Sequence, residues 1–124
     1  MRGLHYQLTP HAQDKLVRVP HGAIFAVAVD VRRASASFAE WVSLEVSAAK
    51  WNQVLVPKGH AFGYLTLEDD TDVIYKVTHA YAPSHERSIR FDDPRIGIRW
   101  PLVPVILSDR DRQAPALADA EVFA

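Results

Sequence analysis

The feature that most constrains this chain is strict alternation within short runs. In WVSLEVS, Val42, Leu44 and Val46 share one face while Trp41, Ser43, Glu45 and Ser47 share the other. A period of two belongs to a half-buried strand. Runs of the same kind recur along the chain: KLVRV (15–19), AIFAVAVDVR (23–32), NQVLVPKG (52–59), AFGYLTL (61–67) and DVIYKVTHAY (72–81), preceded by a short strand in MRGLHYQ. Pro20-His21-Gly22, Gly59 and EDDT (68–71) lie between them and read as turns. Helical periodicity is weak: SAAKW reads as one turn and DRDRQAPALADA as a short terminal helix. Many short strands divided by turns predict an all-β sandwich or barrel.

A chain of 124 residues has room for one core, so the expectation is a single domain over 1–124. Beyond Tyr81 the composition shifts to Pro, Arg and Asp, with isolated apolar anchors at Ile89, Phe91, Ile98, Trp100 and Ile106. This segment, 81–124, is expected to wrap the barrel with few regular hydrogen bonds and to reach its mouth. The net charge of −1, with Lys and Arg scattered rather than striped, argues against a nucleic-acid partner. It leaves room for a small anion held by a few arginines. The absence of cysteine excludes disulfides and thiolate metal sites. No apolar run approaches the roughly 18 residues of a membrane span and no signal peptide is evident, so a cytoplasmic protein without a membrane partner is expected.

The residues able to carry chemistry are few. Arg2 and His5 stand three apart on the first strand, which puts them on opposite faces unless a bulge intervenes. Taken singly, His5 reads as a hydrogen-bonded strand residue, Lys15 as a solvated strand end, and Tyr75 as a core aromatic with its hydroxyl at the rim.

Together the blocks are more specific. RGLHYQ, QDKLVRVPHGAIFAVAVDVR, SLEVSAAKWNQVLVPKG, LTLEDDTDVIYKVTHAYAPSHERSIRFDDPRIGIRWP and LSDRDR resemble, in order and spacing, the dTDP-4-dehydrorhamnose 3,5-epimerase family, from Arg2 to about Leu117. The resemblance implies a metal-free, cofactor-free cupin-type jelly roll, usually a homodimer. It would act on a dTDP-linked 4-keto-6-deoxy sugar in rhamnose or secondary-metabolite biosynthesis. By match, His5 removes the proton beside the ketone at C3 and C5, Asp111 orients it, Lys15 stabilises the enolate oxygen, and Tyr75 returns protons from the opposite face. Arg2 is matched to the diphosphate, Tyr81 to stacking near the thymine, and Glu86 and Arg110 to ligand contact. These residue types suit the task. A neutral histidine backed by a carboxylate is a base near neutral pH. A fixed cation acts where carbonyl charge develops, and an arginine fork matches phosphate oxygens.

Three departures from the family pattern shape the expectation. Its G-F-A-H-G-F turn reads GHAFGY here, so Phe62 takes the usual histidine position and His60, two residues earlier, becomes the candidate substrate contact. Ala26 in FAVAVD replaces an acidic residue of the pocket. Family members carry several dozen residues ahead of R-G-L-H, whereas Arg2 directly follows Met1, so a shortened front end with an uncovered sheet edge is expected. The alternative to an active epimerase is a weakened or inactive homologue that binds a sugar nucleotide without turnover. A metal cupin is disfavoured, since Phe62 replaces a ligand and no H-x-H occurs.

Overall fold

The computed structural model describes residues 1–124. It is an all-β sandwich of the jelly-roll kind. The strands are β1 (Arg2–Gln7), β2 (Lys15–His21), β3 (Ala23–Asp30), β4 (Trp41–Ser47), β5 (Gln53–Val56), β6 (His60–Thr66), β7 (Asp72–Val77) and β8 (Glu86–Ser88). They form a five-stranded sheet, β4-β3-β6-β1-β8, facing a three-stranded sheet, β5-β2-β7, with antiparallel pairing throughout.

The alternation decides which residues fill the space between the sheets. Val17 and Val19 of β2 meet Ile24 and Ala26 of β3, Val46 of β4, Val56 of β5 and Phe62 of β6. The opposite face of the larger sheet carries a second cluster, in which Leu4, Tyr6, Val27 and Val29 pack under Ile89, Ile96 and Leu117 of the final segment. Strand β3 is therefore buried on both sides and reads as a nearly continuous apolar run. Full burial of one such side chain, Leu4 or Ile89, contributes about 2 kcal/mol. The wrapping segment is pinned by polar bonds as well: Tyr6 Oη donates to the Glu121 carbonyl at 2.6 Å, and Asp93 accepts from the backbone of Arg95 and Leu117.

Several expectations are corrected. Val42 and Leu44 do not join Val46 in the core: they are 70% and 42% exposed, because the second sheet has three strands and ends before covering them. Strand β2 continues through Pro20 to His21, with a register irregularity absorbing the proline, and the turn is made by Gly22 at φ +86°. The runs at 23–32 and 72–81 stop at Asp30 and Val77. The wrapping segment contributes a strand of its own, β8; Ile89, Ile96 and Leu117 are its buried anchors, Ile98 and Trp100 pack against them as expected, and Ile106 is instead 81% exposed. The terminal helix shrinks to one turn, α1 (Asp109–Arg112), followed by a 3-10 turn at Leu117–Asp119, since Pro115 interrupts the run.

Candidate active site

Strand β1 sets the site. His5 and Gln7 face the space between the sheets, opposite Phe62 of β6 and Ser88 and Glu86 of β8, while Leu4 and Tyr6 enter the outer cluster. Arg2 would point with Leu4 on a regular strand. It does not, because Arg2 pairs with Tyr64 and His5 with Phe62, so three steps on β1 match two on β6. The extra residue is a bulge that returns Arg2 to the side of His5. Gly3 makes it possible. Its φ is +129°, and a Cβ there would lie 2.5 Å from the Cα of Gly63, so the two backbones pass closer than side chains allow.

The one-turn helix α1 brings Asp111 to His5. Ser108 caps it, its hydroxyl accepting from the Asp111 amide at 3.1 Å. Asp111 is 2% exposed, and His5 Nε2 donates to its Oδ1 at 2.5 Å. A carboxylate only accepts, so this bond fixes the proton on Nε2 and leaves Nδ1 as the basic nitrogen. The pair lines a cavity of about 530 Å3, walled also by Arg2, Tyr64, Ser108 and Arg110, a volume ordinary for a small-molecule site. Arg2 and Arg110 on its wall offer planar forks of the kind that match an anion's oxygens.

A second group adjoins the first. Arg110 on α1 pairs with Glu86 on β8 at 2.9 Å. The Tyr81 phenol interacts with both; its pKa is raised, foremost by Glu86. Burial would push Glu86 up, but Arg110 and Tyr81 together outweigh it and hold the carboxyl below its ordinary value. Lys15 comes from the facing sheet, with Nζ 5.8 Å from the centre of the Phe62 ring. Burial lowers its pKa against the pull of Glu86, and it belongs to neither ion pair of the site. Tyr75 lies on edge strand β7 opposite Val17, so it shares the inward side of that sheet and is 49% exposed.

The sequence-derived residues thus gather unevenly. Arg2, His5, Arg110 and Asp111 share one cavity; Tyr81 and Glu86 join through Arg110; Lys15 and Tyr75 enter from the other sheet. His60, expected as a substrate contact, does not line this cavity. It opens β6 opposite Asp30, two residues beyond Phe62 from the cavity, and its Nδ1 donates to the Pro57 carbonyl at 3.2 Å. Phe62 fills the intervening position as a 6% exposed core residue. Ala26 is buried beside it in the apolar core.

Sequence reasoning missed Tyr64 and Ser108. Tyr64 lines the cavity opposite Arg2; burial raises its phenol pKa while Arg2 pulls it down and Tyr75 pushes it up. Alternation in HAFGYLT, which puts Tyr64 on the Phe62 face, carried that signal. Ser108 was legible as the first residue of S-x-x-D, a helix-start pattern.

The family model described as dTDP-4-dehydrorhamnose 3,5-epimerase matches residues 1–119. The dTDP-4-dehydrorhamnose 3,5-epimerase of Sinorhizobium fredii is 48% identical over 98% of this chain and 63% of its own length. That of Pseudomonas aeruginosa is 46% identical over 99% of this chain and 68% of its own. The chain therefore spans about two thirds of the length of these curated relatives. Among solved structures, the Sulfolobus tokodaii dTDP-4-dehydrorhamnose 3,5-epimerase superposes with a TM-score of 0.91 at 46% identity, covering 99% of this chain and 68% of that one. The Legionella pneumophila dTDP-6-deoxy-D-glucose-3,5-epimerase, solved in complex with dTDP-4-keto-L-rhamnose, gives 0.91 at 43% identity, covering 95% and 63%.

Proposed function

Because the chain belongs to the dTDP-4-dehydrorhamnose 3,5-epimerase family, we propose that it epimerises a dTDP-linked 4-keto-6-deoxyhexose at C3, C5 or both. The observation that carries this reading is the buried His5–Asp111 pair on the wall of a cavity that also holds two arginines.

The chemistry follows from where the groups stand. A C–H bond beside a ketone is weakly acidic, and breaking it moves an electron pair onto the C4 oxygen. His5 Nδ1 takes the proton, and Asp111 stabilises the imidazolium that results. The Lys15 ammonium neutralises the enolate oxygen. Its cation is already disfavoured by burial and lacks a contact carboxylate, so an anion arriving beside it gains more than it would in water. Tyr75 then gives its phenolic proton to the other face of the carbon and recovers one from solvent, while His5 releases the proton it took. His5 sits on one sheet and Tyr75 on the other, so the two reach a sugar lying between the sheets from opposite sides. That is the arrangement inversion requires. Arg2 and Arg110 take the diphosphate, Tyr81 stacks on the base, and Glu86 holds Arg110 and Tyr81 in register.

We assign the working unit as a homodimer and its place of action as the cytoplasm, where nucleotide sugars are made; no helix is long and apolar enough to cross a membrane. Sedimentation at micromolar concentration tests the first. The activity is tested by incubation with the 4-keto sugar nucleotide in heavy water, read by proton NMR. Deuterium at C3 or C5 is expected with the native chain and not with His5→Asn. No uptake above an enzyme-free control sinks the proposal, and binding of dTDP without uptake identifies a non-turning homologue instead.

A further inference from the structure

We propose that Gln7 is a positioning residue for nucleotide recognition, acting through Tyr81. The proposal rests on the reading of Tyr81 as the platform for the base. Gln7 lies two residues beyond His5 on β1, on the same inward face, opposite Glu86. It is 4% exposed, and its side-chain amide is spent on backbone groups. Nε2 donates to the carbonyls of His11 at 2.8 Å and Ala80 at 3.3 Å, and Oε1 accepts from the Ala82 amide at 2.9 Å. Residues 80 and 82 flank Tyr81. A single buried amide thus grips the chain on both sides of the aromatic ring.

The rest of the loop is tied by other means. Thr78 exchanges bonds with Asp14, the His79 carbonyl accepts from Gln13 at 2.6 Å, and the His85 carbonyl accepts from the Leu8 amide at 2.9 Å. These fix the loop at its ends. The Ala82 carbonyl accepts from the amides of His85 and Glu86, while Gln7 supplies the side-chain bonds that tie the Ala80 carbonyl and the Ala82 amide to β1. Tyr81 is itself 65% exposed, so packing does little to hold it, and its place depends on its backbone and on the Glu86–Arg110 pair. One short strand therefore aims both the base, through His5, and the platform, through Gln7. Losing the clamp leaves the loop ends and the Ala82 carbonyl attached but loosens the backbone on either side of Tyr81, which an ordered ligand must then immobilise at binding.

The test is a double-mutant cycle with Gln7→Leu and Tyr81→Ala, repeated with Gln7→Glu, which keeps the acceptor and removes both donors. Calorimetry with dTDP and steady-state kinetics with the sugar nucleotide are read alongside thermal melting. In the native background Gln7→Leu is expected to raise the dTDP Kd and the KM about tenfold with kcat within threefold. In the Tyr81→Ala background it is expected to add less than twofold, because the ring it positions is gone. Pyrophosphate, which lacks the base, is expected to bind the native and Gln7 variants equally. Additive losses, or a parallel loss of pyrophosphate binding, overturn the proposal and make Gln7 a general structural residue. If Gln7→Leu does not fold, the Gln7→Glu arm decides by the same criteria. A native chain that binds neither dTDP nor the sugar nucleotide overturns the family reading instead, which keeps the two failures distinct.

Discussion

Replacing Asp111 by Asn changes one charge in a buried pair and little else. Asp111 contacts His5 Nε2 at 2.5 Å and is 2% exposed; its other oxygen receives only the Gly3 amide, at 3.4 Å. When His5 takes a proton, the charges of imidazolium and carboxylate lie about 4 Å apart, which at an effective dielectric of about 20 is worth about 4 kcal/mol. The His5 side chain is 24% exposed, so solvent screening roughly halves this, to about 2 kcal/mol of transition-state stabilisation, or about thirtyfold in rate. A second effect adds to it. The Asn amide can donate to Nε2, driving the imidazole proton onto Nδ1 and occupying the atom that must act as base. Together these lower kcat by about 10² to 10³, within the range of general-base catalysis. KM stays nearly constant, since Asp111 is not matched to a substrate group. Initial rates of deuterium incorporation at C3 and C5, with melting temperature as a control, measure this. A variant within threefold of the native rate refutes the assignment of Nδ1 as the base and Asp111 as its partner.

Lys15→Met keeps the length that packs by Phe62 but removes the cation, so kcat is expected to fall about 10²-fold or more with the melting temperature held or raised. Asp30 is a structural counterpart to these residues. Burial pushes its carboxyl up, but bonds from Arg32, Ser35 and Ser37 outweigh that and hold it far below the usual carboxylate range. A depressed carboxylate stabilises fully above its unfolded value near 3.8 and loses that contribution as pH falls through the folded value. Asp30→Ala therefore costs about 3 kcal/mol at neutral pH by urea unfolding, and the variant loses less stability than the native chain between pH 5 and 2. His11 sits between His79 and His85, at ring separations of 4.7 and 4.3 Å, and its Nδ1 is buried without a partner. Burial foremost, then His85 and His79, lowers its pKa. The unfolded chain binds a proton near pH 6.5 that the folded chain refuses until lower pH, so stability is full above 6.5 and falls below it. His11→Asn is expected to flatten that decline in melting temperature, and an unchanged profile rules out the cluster as its source.

How far the sequence could be read depended on whether a residue's neighbours are set by period or by contact. Alternation placed Val17, Val46 and Val56 inside because each strand carries its own two faces. It failed at Val42 and Leu44 because their exposure depends on how far a different sheet extends. The same divide runs through the site. His5, Asp111 and Arg110 were recognisable from motif blocks, and the structure brings them to one cavity. His60 was assigned from its spacing to Phe62, and spacing alone could not show that one strand step carries it away to Pro57 and Asp30. Gln7 gave no signal, since its role lies in three backbone partners distant in sequence.

The bulge in β1 is the clearest case of sequence encoding geometry indirectly. On a regular strand, a base at His5 and a phosphate contact at Arg2 are incompatible, because odd spacing sends them to opposite faces. One added residue resolves the conflict, but only where the backbone bends without a side chain in the way. Gly3 meets that condition against Gly63, and Gly63 meets it against the Arg2 carbonyl and Leu4. The four residues R-G-L-H therefore act as a unit: the proposed anion contact, a hinge without Cβ, an anchor fully buried in the outer cluster, and the proposed base. Leu4 matters as much as the polar pair, because locking it into that cluster turns the next side chain, His5, toward the interior and Asp111. A substitution that keeps Arg2 and His5 but fills Gly3 moves one relative to the other, and the distance between base and anion contact is what a nucleotide sugar would measure.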